Sequence, residues 1–77
     1  MYNDERNEFN VAFGEYIRSE RLRKKIPQGD VSRHLGVAQG YYCRIESGTR
    51  NVDLALAAKI CEFLGLSLDA FVATQKK

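Results

Sequence analysis

Single glycines and one proline divide the middle of this sequence into short segments of helical length. Pro27, Gly36, Gly48 and Gly65 fall at the ends of runs in which apolar residues recur every three or four positions. Because β-branched residues are sparse and no run alternates apolar and polar residues, the spacing predicts an all-α fold. Five helices are predicted, over residues 10–25, 28–35, 39–47, 54–64 and a short last helix that begins near residue 68.

The two ends of the chain are predicted to lie outside the packed domain of residues 10–73. Residues 1–9 are mostly charged and polar, and we expect them to form a flexible tail, an extension of the first helix or an arm. Residues 74–77 are expected to fray. With 44% hydrophobic residues in 77, the chain has enough apolar side chains for one compact core.

The composition argues against several classes of protein. No run approaches the length of about 18 apolar residues that suggests a membrane span, and the polar start MYNDERNEFN is not a signal peptide, so we expect a cytoplasmic protein. Cys43 and Cys61 lack zinc-type spacing and are expected to be reduced and buried, with a redox role for Cys43 as the alternative. No metal or cofactor is expected. Asp30, His34 and Glu46 form no catalytic arrangement, so we expect no enzyme activity.

Positive charge is concentrated in the middle of the chain. Residues 18–50 contain eight basic and three acidic residues, a net charge of +5, whereas the remaining residues contain four basic and seven acidic residues, a net charge of −3. A basic middle between acidic flanks is typical of a protein with one face against phosphate. A solvated helical surface explains the same charges equally well.

The second and third predicted helices are joined by a turn that contains glycine, which is the arrangement of a helix-turn-helix. In such a motif the second helix enters the major groove of DNA, and the first crosses the backbone. Three segments occur in the order of a known pattern: FGEYIRSER, PQGDVSRHLGVAQGYYCRIESGTRN and VDLALAAKICEFLGLSLDAF. Between Phe13 and Phe71 the chain thus resembles the Cro/C1-type (XRE-like) helix-turn-helix family of phage repressors, restriction-modification controllers and antitoxins.

This resemblance implies a lambda-repressor-like domain of five helices that regulates transcription by binding double-stranded DNA. It assigns base reading to the start of the third helix, where Gln39 is suited to pair with adenine and Arg44 with guanine or a phosphate. Gly40 stands where the family usually has a polar residue, which suggests close approach of the backbone to DNA. Tyr41 is expected to touch a thymine methyl group or a phosphate, or to be a plain exposed aromatic.

Contacts to the DNA backbone are also implied by the resemblance. Gln28 matches the family glutamine that holds a phosphate at the start of the second helix, with an ordinary surface glutamine as the alternative. Pro27 replaces the usual Ser or Thr cap. The other expected phosphate contacts are Arg33, Cys43, Thr49, Arg50 and Asn51; Cys43 stands where Ser or Thr is common.

Two further sets of residues have implied structural roles. Arg21 and Glu46 match a buried ion pair that orients the third helix against the first and does not read bases. Tyr42 takes an inward position that is usually aliphatic, and we expect it in the core.

One recognition helix covers too few base pairs for selectivity, so a homodimer on a pseudo-palindromic operator is expected. Its candidate interface is Leu56, Phe63, Phe71 and Val72. The expected function is that of a repressor or controller; the alternative is an antitoxin-like module that binds a partner protein.

Overall fold

The computed structural model describes residues 8–75, and these residues form five α-helices and no strand. The helices are α1 (Glu8–Arg23), α2 (Gln28–Leu35), α3 (Gln39–Ser47), α4 (Leu54–Leu64) and α5 (Leu68–Thr74). The predicted bounds of α2, α3 and α4 are confirmed, and so is the all-α fold class. None of the helices in this part of the chain is long and apolar enough to cross a bilayer.

The first helix begins and ends two residues earlier than the sequence predicted. At its start, Phe9 stacks on Phe13, with ring centroids 6.3 Å apart, and meets the edge of Phe71 at 5.6 Å, so tertiary packing extends the helix beyond the polar pattern. At its end, Lys25 has a φ of 60°, which a right-handed helix excludes. The amide of Ile26 then donates to the Arg21 carbonyl at 3.0 Å and closes the turn.

The last helix also differs from the expectation for the chain end. Thr74, which was expected to fray, is the final residue of α5, and its hydroxyl donates to the Phe71 carbonyl at 2.7 Å. Gln75, also expected to fray, follows α5 as its C-cap residue. The expectations for residues 1–7 and 76–77 lie outside the described residues.

All five helices contribute side chains to one hydrophobic core. Its buried members are Phe13, Ile17, Val31, Tyr42, Ile45, Ala57, Ile60, Cys61, Leu64 and Phe71. Burial of one large apolar side chain stabilises a fold by about 1.5–3 kcal/mol. Since α2 adds only Val31 and α5 only Phe71 to the buried set, these short helices depend on the other three for their stability.

Close contact between α1 and α3 fixes the position of the third helix. Gly14 is buried in α1, and a Cβ atom added there would lie 2.3 Å from the carbonyl oxygen of Glu46. Real Cβ contacts are essentially never below about 3 Å, so only glycine allows the two backbones to approach this closely. The sequence pattern gave no sign of this requirement.

Turn chemistry sets the remaining boundaries. Gly48 ends α3 with a φ of 81°, a conformation that L-residues with a side chain rarely adopt. Asp53 begins α4 by accepting a hydrogen bond from the Leu56 amide at 2.8 Å, and Ser67 begins α5 by accepting one from the Ala70 amide at 3.0 Å. In contrast, the cap residues Pro27 and Ala38 make no side-chain hydrogen bond to α2 and α3.

Candidate nucleic-acid interface

The helices α2 and α3 are joined by a tight turn that leaves one face of α3 in solvent. The amides of Gly36 and Val37 donate to the carbonyls of Arg33 and Ser32 at 3.2 and 3.0 Å, which closes the turn. The inner face of α3 consists of Tyr42, Ile45 and Glu46, all buried. Its outer face consists of the exposed residues Gln39, Gly40, Cys43, Arg44 and Ser47. An exposed helix of this kind, supported from behind, has the shape that enters a major groove.

A buried ion pair holds α3 against α1. Arg21 Nε donates to Glu46 Oε2 at 2.6 Å, and Arg21 Nη2 donates to Glu46 Oε1 at 3.1 Å, so the pair is bidentate. The two residues are only 7% and 5% exposed. Arg21 Nη1 also donates to the Ile26 carbonyl at 2.8 Å and ties the pair to the turn before α2. This geometry fixes the angle of α3 on α1.

The pKa shifts of the two groups both favour their charged forms. Burial acts to raise the pKa of Glu46, but hydrogen bonds, led by that from Arg21, hold it below its usual value. The hydrogen bonds that Arg21 donates to Glu46 raise the pKa of Arg21. The Tyr42 hydroxyl is buried beside them without a hydrogen-bond partner of good geometry among the described residues, and its burial raises its pKa. Tyr42 lies in the core as expected, with 0% exposure.

Gln28 points partly inward, whereas the resemblance implied a side chain directed at phosphate. Its Nε2 donates to Glu46 Oε1 at 2.9 Å, so one donor of the amide belongs to the ion-pair network. Gln28 is half-buried at the first position of α2. Gln39 lies close by, since a Cβ atom added to Gly29 would be 3.5 Å from Gln39 Oε1. The beginnings of α2 and α3 therefore meet at one corner of the molecule.

The loop after α3 contacts both α3 and the beginning of α1. The Arg50 guanidinium lies 4.8 Å from the centroid of the Tyr41 ring, within the range of a cation–π contact. Asn51 Oδ1 accepts a hydrogen bond of 2.6 Å from Asn10 Nδ2. The hydroxyl of Thr49 lies 3.0 Å from that of Ser47. Neither the Tyr41–Arg50 contact nor the Asn10–Asn51 contact was predicted from the sequence.

Residues 17–71, the part of the chain that holds α2, α3, α4 and the ion pair, match the family model described as "Helix-turn-helix". The chain belongs to the Cro/C1-type helix-turn-helix family. It is similar to YqaF of Bacillus subtilis (strain 168), described as an uncharacterized HTH-type transcriptional regulator, with 32% identity over 56 residues that cover 73% of this chain and 74% of YqaF.

Solved structures agree with this assignment to the helix-turn-helix family. The clp gene regulator ClgR of Corynebacterium glutamicum superposes with a TM-score of 0.80 and 26% identity, over 88% of this chain and 72% of the ClgR chain. The restriction-modification controller protein C.AhdI of Aeromonas hydrophila superposes with a TM-score of 0.76 and 26% identity, over 84% of this chain and 98% of that of C.AhdI. The predicted family and function class are thereby confirmed: the chain is a DNA-binding transcriptional regulator.

Within this helix-turn-helix protein, three expected contact residues have different surroundings. Arg44 is exposed on the outer face of α3. Arg33 is exposed as well, but its guanidinium Nη2 lies 2.6 Å from Asp30 Oδ1, so it is paired with a carboxylate of its own helix. Cys43 was expected to be buried and is exposed, because the neighbouring Tyr42 is the residue that turns inward. Cys61 is buried, and burial raises the pKa of its thiol.

The four residues proposed for a dimer interface of this helix-turn-helix protein are not equally accessible. Val72 is 40% exposed, and Leu56 and Phe63 are half-buried. The ring of Phe63 stacks on His34 at 4.4 Å, which covers one of its faces. Phe71 is only 4% exposed because it packs among the aromatic rings of α1, so it presents almost no surface to a partner.

Proposed function

We propose that this regulator binds a pseudo-palindromic operator as a homodimer and represses or controls transcription by occupying it. The outward face of α3, supported by the Arg21–Glu46 pair, is the observation that carries the proposal. One such helix spans about four or five base pairs, too few to select a site in a genome. Two copies of α3 about 34 Å apart would meet the major groove on successive turns of the duplex.

Base reading is proposed for the beginning and the middle of α3. Gln39 is exposed at the first position of the helix, and a glutamine amide matches the N6 and N7 atoms of adenine. Arg44 is exposed five residues later and is suited to guanine O6 and N7 or to a phosphate. Nothing lies within 4 Å of a Cβ atom placed on Gly40, so the helix backbone is open to DNA there. Tyr41 lies beside them at the edge of the surface, under Arg50.

Phosphate contacts are proposed for both ends of the motif. Pro27 leaves the beginning of α2 without a side-chain cap, and uncapped N–H groups together with the helix dipole favour an anion. Gln28 is the first residue of that helix. Arg50 and Asn51 are exposed at the other end. Weaker contacts are proposed for three residues whose polar groups are engaged elsewhere or are poor donors: Thr49, Cys43 and Arg33.

Dimerisation is proposed through the apolar surface of α4 and α5, where Val72 is exposed and Leu56 and Phe63 are half-exposed. Leu54, which is 75% exposed on the first turn of α4, is a further apolar residue that the sequence pattern did not assign to a surface. Sedimentation of Val72→Asp against the unchanged protein tests this surface. We expect the unchanged protein to dimerise at micromolar concentration and the variant to remain monomeric; a monomeric unchanged protein would contradict the proposal.

Selection of bound fragments from random duplex DNA tests the proposed operator. We expect two half-sites in inverted orientation, with centres one helical turn apart. The affinities of Gln39→Ala and Gln28→Ala for the selected site and its point variants then distinguish a residue that reads a base from one that holds a phosphate. Gln39→Ala should relax preference at one base position in each half-site, whereas Gln28→Ala should weaken binding to all sequences alike. Reversed results would show that the two roles are wrongly assigned.

A further inference from the structure

One buried hydrogen bond connects the beginning of α1 to the loop that follows α3. Asn10 is the third residue of α1 and is only 5% exposed, an unusual burial for an asparagine. Its Nδ2 donates to Asn51 Oδ1 at 2.6 Å across 41 residues of sequence. A second contact supports the first, because a Cβ atom on Gly48 would lie 2.8 Å from the Cα atom of Val11. The beginning of α1 is therefore fitted against both ends of the turn out of α3.

The hydrogen bond determines which side of the Asn51 amide is available to a ligand. A side-chain amide has an acceptor oxygen on one side and an NH₂ donor on the other. Since Asn10 holds Oδ1 of Asn51, the NH₂ group is the part of this exposed side chain that is left for contacts outside the protein. A DNA phosphate only accepts hydrogen bonds, so it binds this orientation of the amide and is repelled by the flipped one.

We propose that Asn10 is a positioning residue for DNA: it selects the orientation of Asn51 that donates to a backbone phosphate. The inference rests on the proposed phosphate contact of Asn51. The preceding residue, Arg50, lies over Tyr41 of α3, so the loop that carries Asn51 runs between α3 and the beginning of α1. Without Asn10, the Asn51 side chain samples both orientations, and binding DNA must then order it.

Four variants test this role against the unchanged protein: Asn10→Ala, Asn10→Asp, Asn51→Ala and the double variant Asn10→Asp with Asn51→Ala. Their affinities for the selected operator are measured by fluorescence anisotropy, with the fold checked by circular dichroism. Asn10→Ala should weaken binding about fivefold, the size expected for ordering one side chain. Asn10→Asp should weaken it more at pH 7.5, because a carboxylate only accepts and draws the Asn51 NH₂ group inward. The double variant should bind no more weakly than Asn51→Ala.

A pH series separates positioning from a merely structural effect. Position 10 is only 5% exposed, and burial raises the pKa of a carboxyl group above its usual value. Once protonated, the carboxyl group introduced by Asn10→Asp would again donate to Asn51 Oδ1, so the affinity of this variant relative to the unchanged protein should begin to recover as the pH falls from 7.5 to 5. The double variant should show no recovery, since it has no Asn51 amide to orient. Equal recovery in the double variant would mean that Asn10→Asp acts through the stability of the loop, and would overturn the proposal.

Tyr16→Phe is the matched control. It removes another hydrogen bond of α1, which the Tyr16 hydroxyl donates to the Ser67 carbonyl at 3.1 Å, and Ser67 is far in sequence from the loop after α3. We expect it to leave DNA affinity unchanged. If Asn51→Ala binds as well as the unchanged protein, the phosphate contact of Asn51 is refuted, and the inference with it. If Asn51→Ala weakens binding but the Asn10 variants do not, or if their effects add, the phosphate contact stands and the role of Asn10 is refuted.

Discussion

The substitution Glu46→Gln, which removes one charge of the buried pair, is expected to destabilise the domain strongly. Arg21 is 7% exposed and makes two of its hydrogen bonds to the Glu46 carboxylate, so its charge would remain buried with a neutral partner. Breaking a buried pair on one side costs about 3–5 kcal/mol. With a urea slope of about 1 kcal/mol per molar for so small a domain, the midpoint of unfolding should fall by about 3 M or more.

The double variant Arg21→Met with Glu46→Leu separates charge burial from net stabilisation. Replacing both partners by apolar groups removes the desolvation cost together with the attraction, so the double variant should be within about 1 kcal/mol of the unchanged protein. Urea unfolding followed by circular dichroism measures all three proteins. Additive losses in the double variant, or a cost below about 1 kcal/mol for Glu46→Gln, would refute the reasoning.

Three further predictions follow from the packing around α3. Gly14→Ala should destabilise the fold by at least about 2 kcal/mol in urea unfolding, as overpacking does, because its Cβ atom would lie 2.3 Å from the Glu46 carbonyl oxygen. Unchanged stability would show that α1 and α3 are further apart. Tyr42→Phe removes a buried hydroxyl without a well-placed partner, so the free energy of unfolding should stay the same or rise by up to about 1 kcal/mol, and a clear loss would reveal a hydrogen bond to the ion pair. Folding lowers the pKa of Glu46, so this residue stabilises the fold fully above its unfolded pKa of about 4.3. That contribution is lost as the pH falls through the folded pKa. Below pH about 4 the unchanged protein should therefore lose stability faster than the double variant Arg21→Met with Glu46→Leu.

Local sequence signals were sufficient for the middle of the fold. The bounds of α2, α3 and α4 follow from Pro27, Gly36, Gly48, Asp53 and Gly65, each of which acts on its immediate neighbours. The exposed face of α3 followed from the periodicity of its apolar residues. The bounds of α1 could not be found in this way, because its start depends on rings from α5 and its end on a turn at Lys25 that has no glycine.

The candidate site was predictable where a residue acts alone, and for the Arg21–Glu46 pair, which the resemblance to the family implied. The other pairs of polar side chains were missed. Gln39 and Arg44 are exposed on α3, as their positions in the motif implied. The inward hydrogen bond of Gln28 and the contact between Asn10 and Asn51 join residues 18 and 41 positions apart. No periodicity or spacing encodes such contacts, since the tertiary fold alone brings the partners together. The one sequence signal available for Asn10 is its position three residues before Phe13 and seven before Ile17, on the buried face of α1.

Modified operators test most directly whether α3 reads the major groove. In 7-deazaadenine and 7-deazaguanine the N7 acceptor is absent, while the Watson–Crick pairing and the minor groove are kept. Placed singly along the selected half-site, 7-deazaadenine should lower affinity up to about tenfold at one position, because it removes the N7 half of a two-pronged contact worth about 1–3 kcal/mol. Gln39→Ala should abolish that difference. If no position in either half-site responds to the loss of N7, or if Gln39→Ala remains as sensitive as the unchanged protein, the account of α3 as the reading helix is contradicted.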